Sequence, residues 1–178
     1  SPGFLDIHCR IGEPGLEFQE DFKSGLNAAM QGGFTGIIHM PNTIPPIQNA
    51  SDISFVLKKT ENHIVDVFPT GCLTKNREGK EITEIYDMVK SGSIAFTDDK
   101  KSIDNAMLMN IGLEYTRQFD TTIMCTCYDN NLTKDGQLNE GKFSTLLGLK
   151  GIPEIAEEIR LSRDIQLTKY SKGKIHIS

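Results

Sequence analysis

The stretch Pro2-Gly-Phe-Leu-Asp-Ile-His-Cys-Arg-Ile-Gly-Glu-Pro-Gly15 opens the sequence and decides how the rest of it is interpreted. Its apolar part gives way to polar residues, and the chain then turns at Glu13-Pro-Gly. This pattern is typical of a buried strand that delivers side chains to the rim of an α/β barrel. Strict alternation along such a strand places Asp6, His8 and Arg10 on one face, toward the barrel axis.

Short β-type runs alternate with helix-type segments along the rest of the chain. Strands are predicted at 4–9, 35–40, 63–68, 93–97, 121–128 and 174–178. Apolar stripes at helical spacing lie between them, Ser102 is the predicted cap of the helix before the fifth strand, and 129–142 is predicted to be a polar loop. This alternation predicts a parallel sheet covered by helices. Periodicity does not separate a barrel from a doubly wound sheet, but no Gly-x-Gly-x-x-Gly follows the first strand, which disfavours dinucleotide binding.

Composition and charge limit the class of protein. The 178 residues suit one domain with a sizeable core, and 38% are hydrophobic and 24% charged, as is usual for soluble proteins. A net charge of −5 gives no electrostatic reason to expect nucleic acid or an anionic membrane as a partner. No apolar run approaches the ~20 residues that span a bilayer, and no signal segment leads the chain. Four cysteines in a chain of this length fit a reducing compartment, so we expect a cytoplasmic protein.

Several motifs, in a fixed order along the chain, resemble those of one enzyme family. The opening strand with Glu13-Pro-Gly-Leu-Glu17, then Gly32-Gly-Phe-Thr35 and Met40-Pro-Asn-Thr43, resemble dihydroorotases of the cyclic amidohydrolase superfamily. Ala95-Phe-Thr-Asp-Asp99 is similar to the bacterial class of that family, and Leu147-Gly-Leu-Lys-Gly-Ile-Pro153 is similar to its later helix. The resemblance runs over essentially the whole chain.

The resemblance implies a fold and a reaction. Dihydroorotases are metal-dependent (β/α)8 barrels of the TIM type that interconvert dihydroorotate and carbamoyl-aspartate in pyrimidine biosynthesis. In such enzymes zinc polarises the amide carbonyl and generates a nucleophilic water at the carboxyl ends of the strands. The resemblance therefore predicts an incomplete amidohydrolase-type barrel domain over residues 1–178, containing roughly strands 1 to 6. The last strands and the flanking β-sandwich of the family fall outside it.

The metal-binding pattern of the family is interrupted on the first strand. The resemblance places His8, Arg10 and Gly12 on a His-x-His-x-Arg pattern, in which the histidines bind metal and the arginine binds the substrate carboxylate. Arg10 has no lone pair to offer a cation and carries a charge that repels one. Gly12 has no side chain for a carboxylate. We therefore expect Arg10 and Gly12 to be degenerate positions.

The later strands continue this departure. Thr126 stands where the family has a histidine ligand, and a neutral hydroxyl is a poor zinc ligand. His176 matches the histidine of the sixth strand that does not bind metal, and the metal-binding histidine would lie just past Ser178.

Four residues keep the identities that the family uses. His8 and one of Asp98 and Asp99 are the expected remnant of the metal site, and Asn42 is the expected substrate-binding residue. Lys100 adds a cation beside the acidic pair. One histidine and one carboxylate supply two ligands, whereas a catalytic zinc normally uses at least three. We therefore expect zinc to be absent or weakly bound.

Each of these residues also has a purely structural interpretation. His8 is equally well explained as a hydrogen-bonded core histidine, and the acidic pair as a solvated turn. Arg10 would fill the emptied metal cavity if it paired with Asp6, Asp98 or Asp99.

Histidines and cysteines elsewhere are expected to have local roles. His39 and His63 are predicted to pack or to hydrogen-bond locally. Since His8 and Thr126 are expected to face inward, parity turns the nearby cysteines toward the helices, where small apolar packing is their usual role. These cysteines are Cys9, Cys125 and Cys127. The sequence therefore does not predict a metal site built from these cysteines, with or without Cys72.

The sequence predicts a dihydroorotase-like protein whose metal site is eroded and whose role is structural or partner-binding. The partner that the resemblance implies is aspartate transcarbamoylase. Five complete strands and the start of a sixth leave an open barrel edge, so we expect a fragment of a longer chain that forms oligomers when isolated. Two alternatives remain: an active zinc-dependent dihydroorotase with a rearranged site, and a related amidohydrolase of the hydantoinase or allantoinase type.

Overall fold

Parallel strands form the main sheet of the protein, whose computed structural model describes residues 2–178. The strands, numbered in chain order, are β1 (Phe4–Cys9), β2 (Phe34–His39), β3 (Asp66–Gly71), β4 (Ala95–Phe96), β5 (Thr122–Cys125) and β8 (Ile175–Ile177). They lie in the order β1-β2-β3-β4-β5-β8, and all neighbours are parallel. A doubly wound sheet reverses its strand order at a switch point, and this sheet has no reversal. It is therefore a curled half-barrel, as the sequence predicted.

Helices cover one side of this sheet. They are α1 (Phe22–Gln31), α2 (Ala50–Thr60), α3 (Ile85–Lys90), α4 (Ala106–Arg117), α5 (Asn130–Thr133), α6 (Lys142–Leu147) and α7 (Ile155–Ser171), with a 3-10 turn at Lys75–Arg77. Side chains satisfy the first amides of α1 and α2 through capping boxes at Asp21 and Asn49. None of the helices within residues 2–178 combines the length and the apolar character needed to cross a bilayer.

Three predicted boundaries were wrong. The third strand was predicted at 63–68 and lies three residues later, at Asp66–Gly71, where it includes Pro69. The cap of α4 is Asn105, whose Oδ1 accepts from the amides of Met107 and Leu108 at 2.9 and 3.3 Å, and not Ser102. The predicted polar loop at 129–142 contains α5 and the strand β6 (Leu138–Asn139), which pairs with β7 (Gly151–Ile152).

Two apolar cores lie on opposite sides of the sheet. The larger one fills the space between sheet and helices, and its buried members include Ile37, Phe96, Leu113 and Ile123. The smaller one faces the barrel interior and consists of Met40, Ala95 and Met124, with Ile38 packed against it. Alternate residues of β2, β4 and β5 thus enter different cores, as strand geometry requires.

The register of β1 changes in the middle of the strand. Asp6 lies opposite Ile37 and Cys9 lies opposite His39, so β1 carries one more residue than β2 over this segment. Ile37 belongs to the helix-side core and Cys9 packs against it. Asp6 is therefore in register with a residue that faces the helices. The prediction that Asp6 shares the barrel-side face with His8 by strict alternation was wrong, because the extra residue breaks the alternation.

Candidate functional site

Asp99, just beyond the carboxyl end of β4, joins that strand to β1. Its Oδ1 accepts hydrogen bonds from His8 Nε2 at 2.9 Å and from Arg10 Nη2 at 2.7 Å. Arg77 Nη2 lies 3.7 Å from its Oδ2. The carboxylate is only 2% exposed, while the side chains of His8 and Arg10 are each 31% exposed. The expected internal ion pair of Arg10 is therefore present, and its partner is Asp99.

The backbone around Asp99 holds this carboxylate in place. Asp99 has a left-handed φ of 52°, a conformation that aspartate tolerates better than most residues. Its amide donates to Thr97 Oγ1 at 2.8 Å, and its carbonyl oxygen accepts from Thr126 Oγ1 at 3.4 Å. Thr126 therefore lies at the same strand ends, where it bonds to protein backbone.

Asp98 has a different environment from its neighbour. Its Oδ1 accepts from the Thr74 amide at 2.9 Å, and its Oδ2 accepts from the Thr74 hydroxyl. Arg77 Nε donates to the Asp98 carbonyl oxygen at 3.0 Å. Burial raises the pKa of Asp98, and the hydrogen bonds from Thr74 oppose that rise. Asp98 thus anchors the segment after β3, and Asp99 is the member of the pair that contacts His8.

The loop after β1 leaves no room for a side chain at Gly12. A Cβ there would overlap the carbonyl oxygen of Leu16 and lie 3.0 Å from that of Glu20. The loop is closed by a hydrogen bond from the Leu16 amide to the Gly12 carbonyl at 2.8 Å. Glu13 ties it to α1, because its Oε2 accepts from the Phe22 amide at 3.0 Å. Position 12 thus accommodates glycine, and a larger residue would require the loop to shift.

Asn42 lies on the loop after β2, at the same end of the sheet as His8 and Asp99. Its Oδ1 is buried and has no hydrogen-bond partner within residues 2–178. A buried amide oxygen without a donor carries a desolvation cost, so it is suited to accept a hydrogen bond from a ligand. Asn42 therefore stays the predicted substrate-binding residue.

His39 has a structural role on the helix side of the sheet. Its Nε2 donates to the Ile11 carbonyl at 3.1 Å, and its ring packs against Phe22 with 5.2 Å between ring centroids. Burial lowers the pKa of His39 to about 4, so the imidazole is neutral at physiological pH. The prediction that it bonds locally is confirmed.

The residues at the carboxyl ends of the barrel strands, which form the mouth of the half-barrel, do not fit a zinc ion. Asp99 Oδ1, the oxygen nearest His8, is already hydrogen-bonded by Arg10, and a guanidinium donates hydrogen bonds but has no lone pair for a metal. Thr126 uses its hydroxyl on a backbone carbonyl. Within residues 2–178, one group of side chains brings three possible metal-ligand atoms within 4.8 Å of one another. This group lies on the helix side of β5 and contains neither His8 nor Asp99.

Thr74 and Arg77 were missed by the sequence interpretation. Both come from the irregular segment after β3, where no hydrophobic period marks a functional role. Their position directly beyond the carboxyl end of a barrel strand was the one available signal, since barrels present polar groups there.

Comparison with known proteins identifies the family. The family model described as dihydro-orotase-like matches residues 1–178, which is the whole chain. The chain belongs to the dihydroorotase-like family. It is 41% identical to a dihydroorotase of Acetivibrio thermocellus and 44% identical to one of Caldicellulosiruptor saccharolyticus, each over 178 residues. These matches include 99% of this chain but only 42% and 41% of the relatives. This dihydroorotase-like chain thus spans about two fifths of the curated relatives that it matches.

Solved structures show the same fold. L-hydantoinase from Arthrobacter aurescens superposes with a TM-score of 0.77 at 19% identity, over 99% of this chain and 41% of that one. The dihydroorotase of Saccharomyces cerevisiae, in complex with 5-fluoroorotic acid, superposes with a TM-score of 0.67 at 13% identity, over 97% of this chain and 46% of that one. At such identities the likeness establishes the barrel fold of the dihydroorotase-like chain.

Proposed function

We propose that this chain is part of a dihydroorotase-like barrel of pyrimidine biosynthesis that does not hydrolyse a cyclic amide and acts structurally or by binding a partner. The observation that carries the proposal is the contact of Arg10 Nη2 with Asp99 Oδ1 at 2.7 Å. Family resemblance expects a second histidine ligand at position 10. The guanidinium of Arg10, hydrogen-bonded to Asp99, occupies that position instead.

Electrostatics favours this protein cation over a metal. Arg10 and Arg77 both lie within 4 Å of the Asp99 carboxylate, so its charge is compensated by the chain itself. A divalent ion placed about 4 Å from a guanidinium would be repelled by about 8 kcal/mol at an effective dielectric constant of 20. Zinc binding at His8 and Asp99 therefore requires Arg10 to leave.

The proposed partner is aspartate transcarbamoylase, and the proposed compartment is the cytoplasm. The partner rests on family resemblance, and the compartment is supported by four cysteines that all have free thiols. Sedimentation of the full-length protein with the transcarbamoylase of the same organism tests the partner. We expect one co-sedimenting complex, and two independent boundaries at micromolar concentration would contradict it.

Catalysis is tested on the full-length protein by zinc analysis and by cyclisation of carbamoyl-aspartate. We expect no turnover and no zinc whose binding depends on His8. Hydantoin and allantoin are included as substrates, since turnover of either would instead support a related amidohydrolase. The proposal fails if the protein binds stoichiometric zinc and if His8→Ala abolishes both that zinc and turnover.

A further inference from the structure

Three buried donor groups converge on the helix side of the sheet, away from the barrel mouth. Cys125 ends β5, Cys127 follows it, and Asp164 lies in the middle of α7. The two sulfurs are 3.7 Å apart, and Cys127 Sγ is 3.6 Å from Asp164 Oδ2. All three ligand atoms lie within 4.8 Å of one another, and all three residues are buried. We propose that these residues form a binding site for a thiophilic divalent cation of the zinc type.

Two of the three distances between the ligand atoms match the edges of a metal tetrahedron. Zinc–sulfur bonds of about 2.3 Å give a sulfur–sulfur edge of about 3.8 Å, and replacing one sulfur by an oxygen at about 2.0 Å gives an edge of about 3.5 Å. The observed 3.7 and 3.6 Å separations lie close to these values. The third separation, between Cys125 Sγ and the Asp164 carboxylate, is within 4.8 Å. Thiolate ligands favour zinc over calcium or magnesium.

The charges of the site balance when a divalent cation is bound. Two thiolates and one carboxylate carry three negative charges, and the adjacent Arg163 adds one positive charge. Arg163 donates from Nε and Nη2 to Asp164 Oδ1 at 2.8 and 2.5 Å, so the other carboxylate oxygen points to the sulfurs. A dication then makes the buried group neutral, which is the favourable state in a low dielectric. Arg163 also orients the carboxylate, as outer-shell partners of metal ligands do.

Without a cation, the same groups are held by hydrogen bonds. The Cys127 thiol donates to Asp164 Oδ2 at 3.6 Å, and the Cys125 thiol donates to the His176 carbonyl at 3.6 Å. Cation binding replaces these two donors and releases two protons to solvent. The metal would link the end of β5 to α7, a helix without a side-chain N-cap. This site is independent of the chemistry at Asp99.

Cobalt(II) titration of the reduced, metal-free protein tests the proposal. We expect one equivalent to give the sulfur-to-metal charge-transfer absorption and the intense visible bands of a tetrahedral thiolate site. Cys125→Ser and Cys127→Ser should lose most of the charge-transfer intensity, and Asp164→Asn should weaken binding at least tenfold. Cys9→Ser is the matched control, because Cys9 is a free, half-buried thiol outside the cluster, and it should retain the spectrum.

Zinc and thermal unfolding give a second measurement that needs no variant. Zinc at 100 times its dissociation constant should raise Tm of the protein by roughly 5–10 °C. The proposal is overturned if the unmodified protein shows no cobalt–thiolate charge-transfer band. It is also overturned if Cys9→Ser loses this band while Cys125→Ser and Cys127→Ser keep it. The result is separable from the test of catalysis, because zinc in this site survives His8→Ala and is lost in Cys125→Ser.

Discussion

At the scale of single residues, Asp99 holds the mouth of the half-barrel together. Its carboxylate accepts hydrogen bonds from His8 and Arg10, at the end of β1. It also lies 3.7 Å from the guanidinium of Arg77, in the segment after β3. Three separated parts of the chain thus meet on one buried carboxylate. The stability of this end of the sheet therefore depends on the cations that compensate it.

Arg10→Met tests this dependence. Removing the guanidinium leaves the 2%-exposed Asp99 carboxylate with fewer donors, so we expect a loss of about 1–3 kcal/mol in the free energy of unfolding. Urea denaturation of Arg10→Met, Asp99→Asn and the double variant gives the coupling between them. A coupling energy near zero would show that the contact does not contribute.

An exposed ion pair of the same chain is the matched control. Lys80 Nζ lies 2.9 Å from Glu78 Oε2, and both side chains are largely solvated. Lys80→Met should therefore change the free energy of unfolding by less than about 1 kcal/mol. A loss as large as that of Arg10→Met would mean that the assay does not report on burial.

His39 gives the protein a predictable pH dependence. Its pKa is lowered from 6.5 to about 4 in the folded state, chiefly by burial, so the folded protein favours the neutral ring. The stabilisation is fully present above pH 6.5 and is lost as the pH falls through about 4, a change of about 3 kcal/mol.

Urea unfolding at a series of pH values between 7 and about 4 measures this change. His39→Gln keeps a donor near the Ile11 carbonyl and cannot titrate, so its stability should fall less steeply with acid. Equal slopes in the two proteins would assign the acid sensitivity to other groups.

At the scale of elements, the start of α4 tests the corrected cap. Asn105 accepts from two amides of the first turn, so Asn105→Ala should destabilise the protein by about 1 kcal/mol. Ser102→Ala serves as the control, because the Ser102 hydroxyl is buried without a hydrogen-bond partner in the part of the chain that the structure describes. Thermal unfolding that ranks Ser102→Ala as the more harmful change would contradict this assignment.

The sequence predicted the elements better than the contacts between them. The spacing of apolar residues and the positions of turn residues located the six barrel strands, because both signals are local in sequence. The extra residue in β1 and the inclusion of Pro69 in β3 were missed, since both depend on pairing with β2. His8 and Arg10 were expected at the mouth from the family pattern. The choice of Asp99 over Asp98 required the tertiary position of Thr74, which no local signal encodes.

At the scale of the whole molecule, the half-barrel exposes apolar side chains along its open edges. Phe4 and Leu5 on β1 are 65% and 52% exposed, and Ile177 on β8 is 47% exposed. An exposed parallel edge with apolar neighbours favours association. We therefore expect the 178-residue chain to form oligomers or larger assemblies in light scattering. A monodisperse monomer across a wide concentration range would contradict this expectation.

A pair of charge substitutions locates the associating surface. Leu5→Lys should lower the average mass, because it places a charge at the open edge on β1. Ile64→Lys is the control, since Ile64 is more exposed, at 76%, but lies in the turn before β3. Equal effects of the two changes would indicate association through general surface hydrophobicity.

The glycine at position 12 bears on whether the dihydroorotase pattern can be introduced into this chain. Exchanging Arg10 for histidine is a single substitution, but an arginine at position 12 would collide with the carbonyl of Leu16. Recovery of that residue therefore needs the loop that Glu13 ties to α1 to be rebuilt at the same time. An arginine introduced at position 12 without a new loop should destabilise the fold, because its Cβ would overlap the Leu16 carbonyl oxygen. An experiment that introduces the family pattern into this chain should therefore rebuild the loop before it changes position 12.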